Sequence, residues 1–273
     1  MSATYILATQ QAESILQWYI ENGVDEVMSS TPVDRLASLP VEKTLPLRTG
    51  LSSPTSSSGA SANLSGTPEA KAEAFRLVGE VKTLDALKEV ILKFEGLSLK
   101  KTAMNMVFSA GNPSASVMVI GDTPEAEDDR AGYPFSGEMG QLTDKMFGAI
   151  GLTRESLYLT NVLNWRPPGN RSPLSTEIEL SVPFIRRHIE LVNPKIIYLM
   201  GSVASKSILG SDLTIGKLRG KQHMVGWKIQ QGDTDQKRFE CPALVSYHPS
   251  FLLRSPLKKR EAWDDLLLLK SFL

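Results

Sequence analysis

The chain has 273 residues, 41% of them apolar, a length that suits one large domain or two small ones with a sizeable core. Lys plus Arg and Asp plus Glu number 30 each, which argues against a polyanion binder driven by a basic tail and leaves only a local basic face open. A single cysteine, Cys241, excludes an intrachain disulfide and a multi-cysteine metal site, and it suits a reducing compartment.

The first residues, MSATYILATQQAESILQWYI, lack a basic leader region and read poorly as a signal peptide. No apolar run reaches the roughly 20 residues of a membrane span. Residues 1–28 are expected to form a helical extension. Within it, Ile15, Leu16, Tyr19 and Ile20 share one side of a short amphipathic helix over Gln10 to Asn22. Residues 29–67, including LSSPTSSSGASANLSGTP, are too poor in large apolar side chains to offset chain entropy and read as a disordered linker.

The main domain is expected over 68–273. Helical spacing covers Pro68 to Glu80 and Thr83 to Phe94, the second with Thr83 as N-cap. Four apolar runs follow: SVMVIG (Ser116 to Gly121), SLYLTNV (Ser156 to Val162), KIIYLMG (Lys195 to Gly201) and ALVSYH (Ala243 to His248). Helical patterns lie between most of them, at Gly140 to Ile150, Ser175 to Val192 and Ser202 to Leu209. Continuous apolar strands alternating with helices predict a three-layer α/β/α fold around a mainly parallel four-stranded sheet. His223 to Ile229 is a weaker candidate for an edge strand.

In such sheets ligands bind at the carboxyl ends of the strands. Polar residues gather at those ends here, in GDTPEAEDDRAGYPFSGEMG, TNVLNWRPPGNRSP, GSVAS and HPSFLLRSP. The first loop lacks the spacing of a phosphate cradle, and its acids would repel phosphate. Asp122 can position water, or the loop simply caps the next helix. Phe135 can stack on a planar ring or sit in the core. Asn161 can read a base edge, since its amide donates and accepts, or cap a turn. His248 is either a packed ring or a proton-handling group facing a cleft. Arg166, Arg171, Arg219 and Arg254 fall in loops, where they form a basic face or remain solvated charges.

Together these loops resemble the type 4 uracil-DNA glycosylases of the uracil-DNA glycosylase superfamily, from about Leu84 to the C-terminus. GDTPEAEDDRAGYPFSGEMGQLTD, YLTNVLNWRPPGNRSP and HPSFLLRSPLKKREAWDDL match the family's three motifs in order. The resemblance implies removal of a flipped-out uracil from DNA. It assigns Gly121 and Phe135 to the uracil pocket, Phe135 as a stacking platform. Asn161 would read the uracil edge and His248 would stabilise the departing anion. Asp122 would position the attacking water. DNA contacts would fall to Arg166, Arg171, Arg219, Ser250, Leu252 and Arg254, with Leu252 pressed into the DNA. A monomer acting on uracil-containing DNA is implied, in the cytoplasm of a bacterium and associated with the nucleoid. A repair or replication partner would be held through residues 1–67.

The chain departs from the pattern in two places. The family's four cysteines, which bind a [4Fe–4S] cluster, correspond to Phe94, Leu97, Trp165 and Ser181, so no cofactor is expected and an apolar mini-core should fill the space. The family's Glu is Asp122, and a carboxylate withdrawn by ~1 Å can slow a reaction about 10²-fold. Glu125 replaces a Gly and would be strained if its backbone required positive φ. A catalytically weakened protein that still binds DNA or uracil, and an adaptor using the fold as scaffold, are the competing readings.

Overall fold

A computed structural model describes residues 68–229 and 238–273. The expected N-terminal helix and linker lie outside the described residues. The sheet has six strands: β1 (Ala110–Gly111), β2 (Val117–Gly121), β3 (Leu157–Asn161), β4 (Ile196–Met200), β5 (His223–Lys228) and β6 (Arg238–Ser246). Their order is β1-β3-β2-β4-β6-β5. The central four run parallel, while β1 and β5 pair antiparallel at the two edges. The expected four-stranded sheet is therefore the core of a larger one. β5 matches the weaker strand, whereas two-residue β1 is too short to show alternation.

Every residue of β2, β3 and β4 is buried, which explains why these strands read as unbroken apolar runs. Their side chains still alternate between faces. Met118, Ile120, Tyr158, Ile197 and Leu199 face one core, with α1 (Pro68–Glu80), α2 (Leu84–Lys93), α5 (Ser175–Val192) and α6 (Ser202–Leu209) supplying its other wall. Val117, Val119, Leu159, Tyr198 and Met200 face the second core, closed by α4 (Gly137–Gly148), α8 (Pro249–Arg254) and α9 (Lys259–Lys270). Short helices α3 (Ala126–Ala131) and α7 (Ile215–Leu218) lie in the connections. The result is a three-layer α/β/α fold.

Helix ends follow local chemistry. Thr83 Oγ1 accepts from Ala86 N at 3.2 Å, and Asn193 stops α5 in the left-handed conformation at φ 49°. Helices α3 and α8 stand where the sequence suggests loops, and α9 follows in a stretch to which it assigns no element. No described helix is long and apolar enough to cross a membrane.

Candidate active site

Parallel pairing sets Gly121 beside Asn161 at the ends of β2 and β3. His248 follows two residues after β6, where it caps α8. The three residues converge. A Cβ on Gly121 would collide with Asn161 Oδ1, lie 2.9 Å from Phe135 Cζ and stand 3.4 Å from His248 Nε2. Gly121, Phe135, Asn161 and His248 thus enclose a narrow slot, bringing together four of the residues singled out in the sequence.

Asn161 and His248 are buried, at 2% and 8% exposure, yet Asn161 Nδ2 and His248 Nε2 have no hydrogen-bond partner in the protein. An unmet buried polar group costs about 1–3 kcal/mol. Two of them in one slot make a site that a ligand with matching acceptors stabilises. The opposite side of the imidazole is engaged. Ser250 N donates to His248 Nδ1 at 3.4 Å, and Ser250 Oγ lies 2.8 Å from it. Nδ1 is therefore an acceptor, and the proton of the neutral ring sits on Nε2, pointing into the slot. Burial, aided by the Arg254 charge, pushes the His248 pKa down to about 4, so the ring is neutral at pH 7.

The other histidines serve the fold. His188 is buried against Phe108 and hydrogen-bonded to Tyr158, and His223 Nε2 donates to Leu218 O.

Asp122 is half-buried and borders a cavity of about 270 Å³, which it lines with Ser202, Tyr247, His248, Phe251 and Arg254. Its Oδ1 accepts from Ala204 N at 2.7 Å, at the start of α6. Burial pushes its pKa up to about 7, against the pull of the backbone N–H groups of Ala204, Val203 and Ser202. Gly201, at φ 117°, leaves room for this carboxylate, with which a Cβ would collide. The sequence marks GSVAS as a loop end without signalling that Gly201 and α6 hold Asp122.

The acidic loop is more ordered than its composition suggests. Glu125 has φ −96°, so the expected strain is absent, and it forms a capping box with Asp128. Asp128 and Asp129 are buried staples. Asp128 Oδ1 accepts from Ser136 N and Oγ, each at 2.7 Å, and Asp129 Oδ1 accepts from Met104 N and Asn105 N.

Two expected DNA contacts are committed to the fold. Leu252 is fully buried in the core beneath α8, so its side chain does not project as an inserted wedge would. Arg219 is spent on the fold. It pairs with Asp265 and Glu261, donates to Glu261 O and stacks over Tyr247. Arg254 is exposed beside the cavity. Arg171 is partly exposed while bound bidentately to Glu177, Arg166 donates to Asn170 Oδ1 at 2.7 Å, and Ser250 supports His248.

Phe94, Leu97 and Trp165 share the first core, at 5–6% exposure, and Phe94 packs edge-on to Phe184 with centroids 5.1 Å apart. Ser181 is buried and donates to Glu177 O at 2.8 Å. Three of these side chains offer no donor atom suited to iron and the fourth offers a committed hydroxyl, so the set does not fit an iron–sulfur cluster.

Residues 108–267 match the model of the Uracil DNA glycosylase superfamily. The chain belongs to the uracil-DNA glycosylase superfamily. A type-4 uracil-DNA glycosylase of Archaeoglobus fulgidus is 32% identical over 192 residues, covering 68% of this chain and 90% of that protein. Its counterpart from Sulfurisphaera tokodaii is 34% identical, covering 67% of this chain and 81% of that one. The Thermotoga maritima enzyme is 29% identical, covering 70% and 94%. The superfamily match spans all three sequence motifs and every residue of the slot.

Proposed function

We propose that this superfamily member is a monofunctional uracil-DNA glycosylase, which hydrolyses the N-glycosidic bond of uracil in DNA and leaves an abasic site. The observation that carries this reading is the pair of buried, unpartnered groups, Asn161 Nδ2 and His248 Nε2, on two residues that converge on Gly121 beside Phe135. A flipped uracil stacks on Phe135. Asn161 donates to O4 and accepts from N3–H. Cytosine presents the opposite pattern and leaves both halves of the amide unmatched.

As the C1′–N1 bond breaks, its electron pair leaves with uracil, and the charge on O2 is met by the Nε2–H of His248. A neutral donor already in place costs no reorganisation, and removing such a donor typically lowers kcat about 10²–10³-fold. Water then bonds to C1′ and passes its proton to ionised Asp122. Exposed Arg254, with Arg166 and Arg171, holds the phosphates as a positioning contact.

Base hydrolysis by this route uses only water, so the enzyme works without metal or organic cofactor, a reading supported by the apolar filling at Phe94, Leu97 and Trp165. The protein acts as a monomer in the cytoplasm, at the nucleoid, and residues 1–67 recruit a repair or replication partner.

A weakened, binding-only protein is favoured by one observation, the engagement of Asp122 Oδ1 with Ala204 N. An end-labelled oligonucleotide carrying one uracil, followed by hot alkali, decides between the two. Cleavage that drops about 10²–10³-fold in His248→Ala supports the enzyme. Tight binding with no cleavage, even in Asp122→Glu, supports the second reading.

A further inference from the structure

Phe135 holds an uncommon backbone conformation, φ 55°, which non-glycine residues adopt only when their surroundings impose it. Those surroundings are specific. The peptide joining Phe135 to Ser136 is gripped from both sides. Its N–H donates to the buried carboxylate of Asp128 at 2.7 Å, and its carbonyl accepts from Arg154 Nη2. The Arg154 guanidinium is oriented in turn by Asp144 of α4, which accepts from Nε at 2.7 Å. Gly140 makes room for this arrangement, since a Cβ there would collide with the Phe135 carbonyl oxygen and lie 3.0 Å from Arg154 Nη2.

The carbonyl has no competing helical role. The first acceptor of α4 is Ser136 O, which takes Gly140 N at 2.9 Å. Arg154 comes from the turn before β3, 19 residues from Phe135, so the clamp ties the aromatic loop to the strand that carries Asn161.

We infer that Arg154 is a positioning residue for the base pocket: its guanidinium, with Asp128 on the other side, locks the Phe135–Ser136 peptide and thereby sets the Phe135 ring against the base read by Asn161. The inference rests on the proposed stacking role of Phe135, but the backbone clamp itself is testable without it. Losing the carbonyl grip lets φ relax toward the ordinary β region and swings the ring, while Asn161 and His248 stay in place. Arg154 acts only through Phe135, and that distinguishes it from a residue that merely stabilises the fold.

The test is a double-mutant cycle on uracil excision with Arg154→Met, Phe135→Ala and the combined variant. Arg154→Met should lower kcat/KM about 10–100-fold in the native background, the scale of an ångström-level misplacement. In the Phe135→Ala background the same change should cost less than about twofold, since coupled residues are non-additive. Asp144→Asn, on a half-exposed side chain, should give a milder loss of the same kind, and Arg154→Lys should restore part of the rate. Equal losses in both backgrounds, or no loss in the native one, overturns the inference. A crystal structure of Arg154→Met supplies a readout independent of catalysis. Phe135 should leave the left-handed region, and an unchanged φ overturns the clamp even in a protein that proves not to be a glycosylase.

Discussion

Two buried regions of this domain follow opposite rules. At the rim of β2, β3 and β6, a slot keeps two polar atoms without partners and holds an aromatic residue in an uncommon backbone conformation. Around Phe94, Leu97, Trp165 and Ser181, apolar groups pack into the main core, and the one hydroxyl is satisfied within its own helix. The second region is built as a protein interior usually is, with polar groups matched. The first tolerates a standing cost that serves no purpose in the fold, which is why it reads as a place for a ligand. The superfamily match covers every residue of the slot, whereas Phe94 and Leu97 of the packed corner precede it.

The largest effect expected from breaking this contrast lies in the packed corner. Trp165→Ala should destabilise the domain by about 3–5 kcal/mol, the usual cost of removing a buried large aromatic, measured by urea unfolding. His248→Ala should cost much less, because the loss of its cap on α8 is partly offset by removal of an unmet buried group. Comparable destabilisation by the two changes would erase the distinction between them.

The next effect concerns pH. In the proposed reaction Asp122 must be ionised to accept a proton from water, and burial raises its pKa to about 7. Excision under single-turnover conditions should therefore rise about tenfold per pH unit from pH 5 and level off above about 7. His248, with its pKa lowered to about 4, stays neutral throughout that range and adds no limb. Asp122→Asn should flatten the profile. A slope that survives this substitution assigns the titration to another group.

Much of the slot is legible in the sequence because three of its four residues stand at or just after a strand end, Phe135 lying instead in the loop before α4. Asn161 and His248 stand directly after apolar runs, and an α/β sheet places such ends on one rim. Gly121 carries no signal beyond its position, and its close approach to Asn161 and Phe135 emerges only when the loops are folded. Tertiary partners decide what periodicity cannot. Leu252 resembles an exposed loop residue until α8 forms and turns it inward, and Arg219 looks free until α9 brings Asp265 and Glu261 to it. Arg154 and Phe135 are 19 residues apart, and no local pattern announces that one grips the backbone of the other. Helix α3 is hidden for a different reason, since an acid-rich hexapeptide has little apolar periodicity and is held by its capping box.

The most direct measurement follows the two unpartnered groups themselves. In a ¹⁵N-labelled sample, the side-chain amide of Asn161 and the Nε2–H of His248 should both shift when free uracil is added, and neither should respond to cytosine at the same concentration. Shifts of equal size with both bases, or uracil binding that leaves both groups unmoved, would contradict a slot built to read uracil.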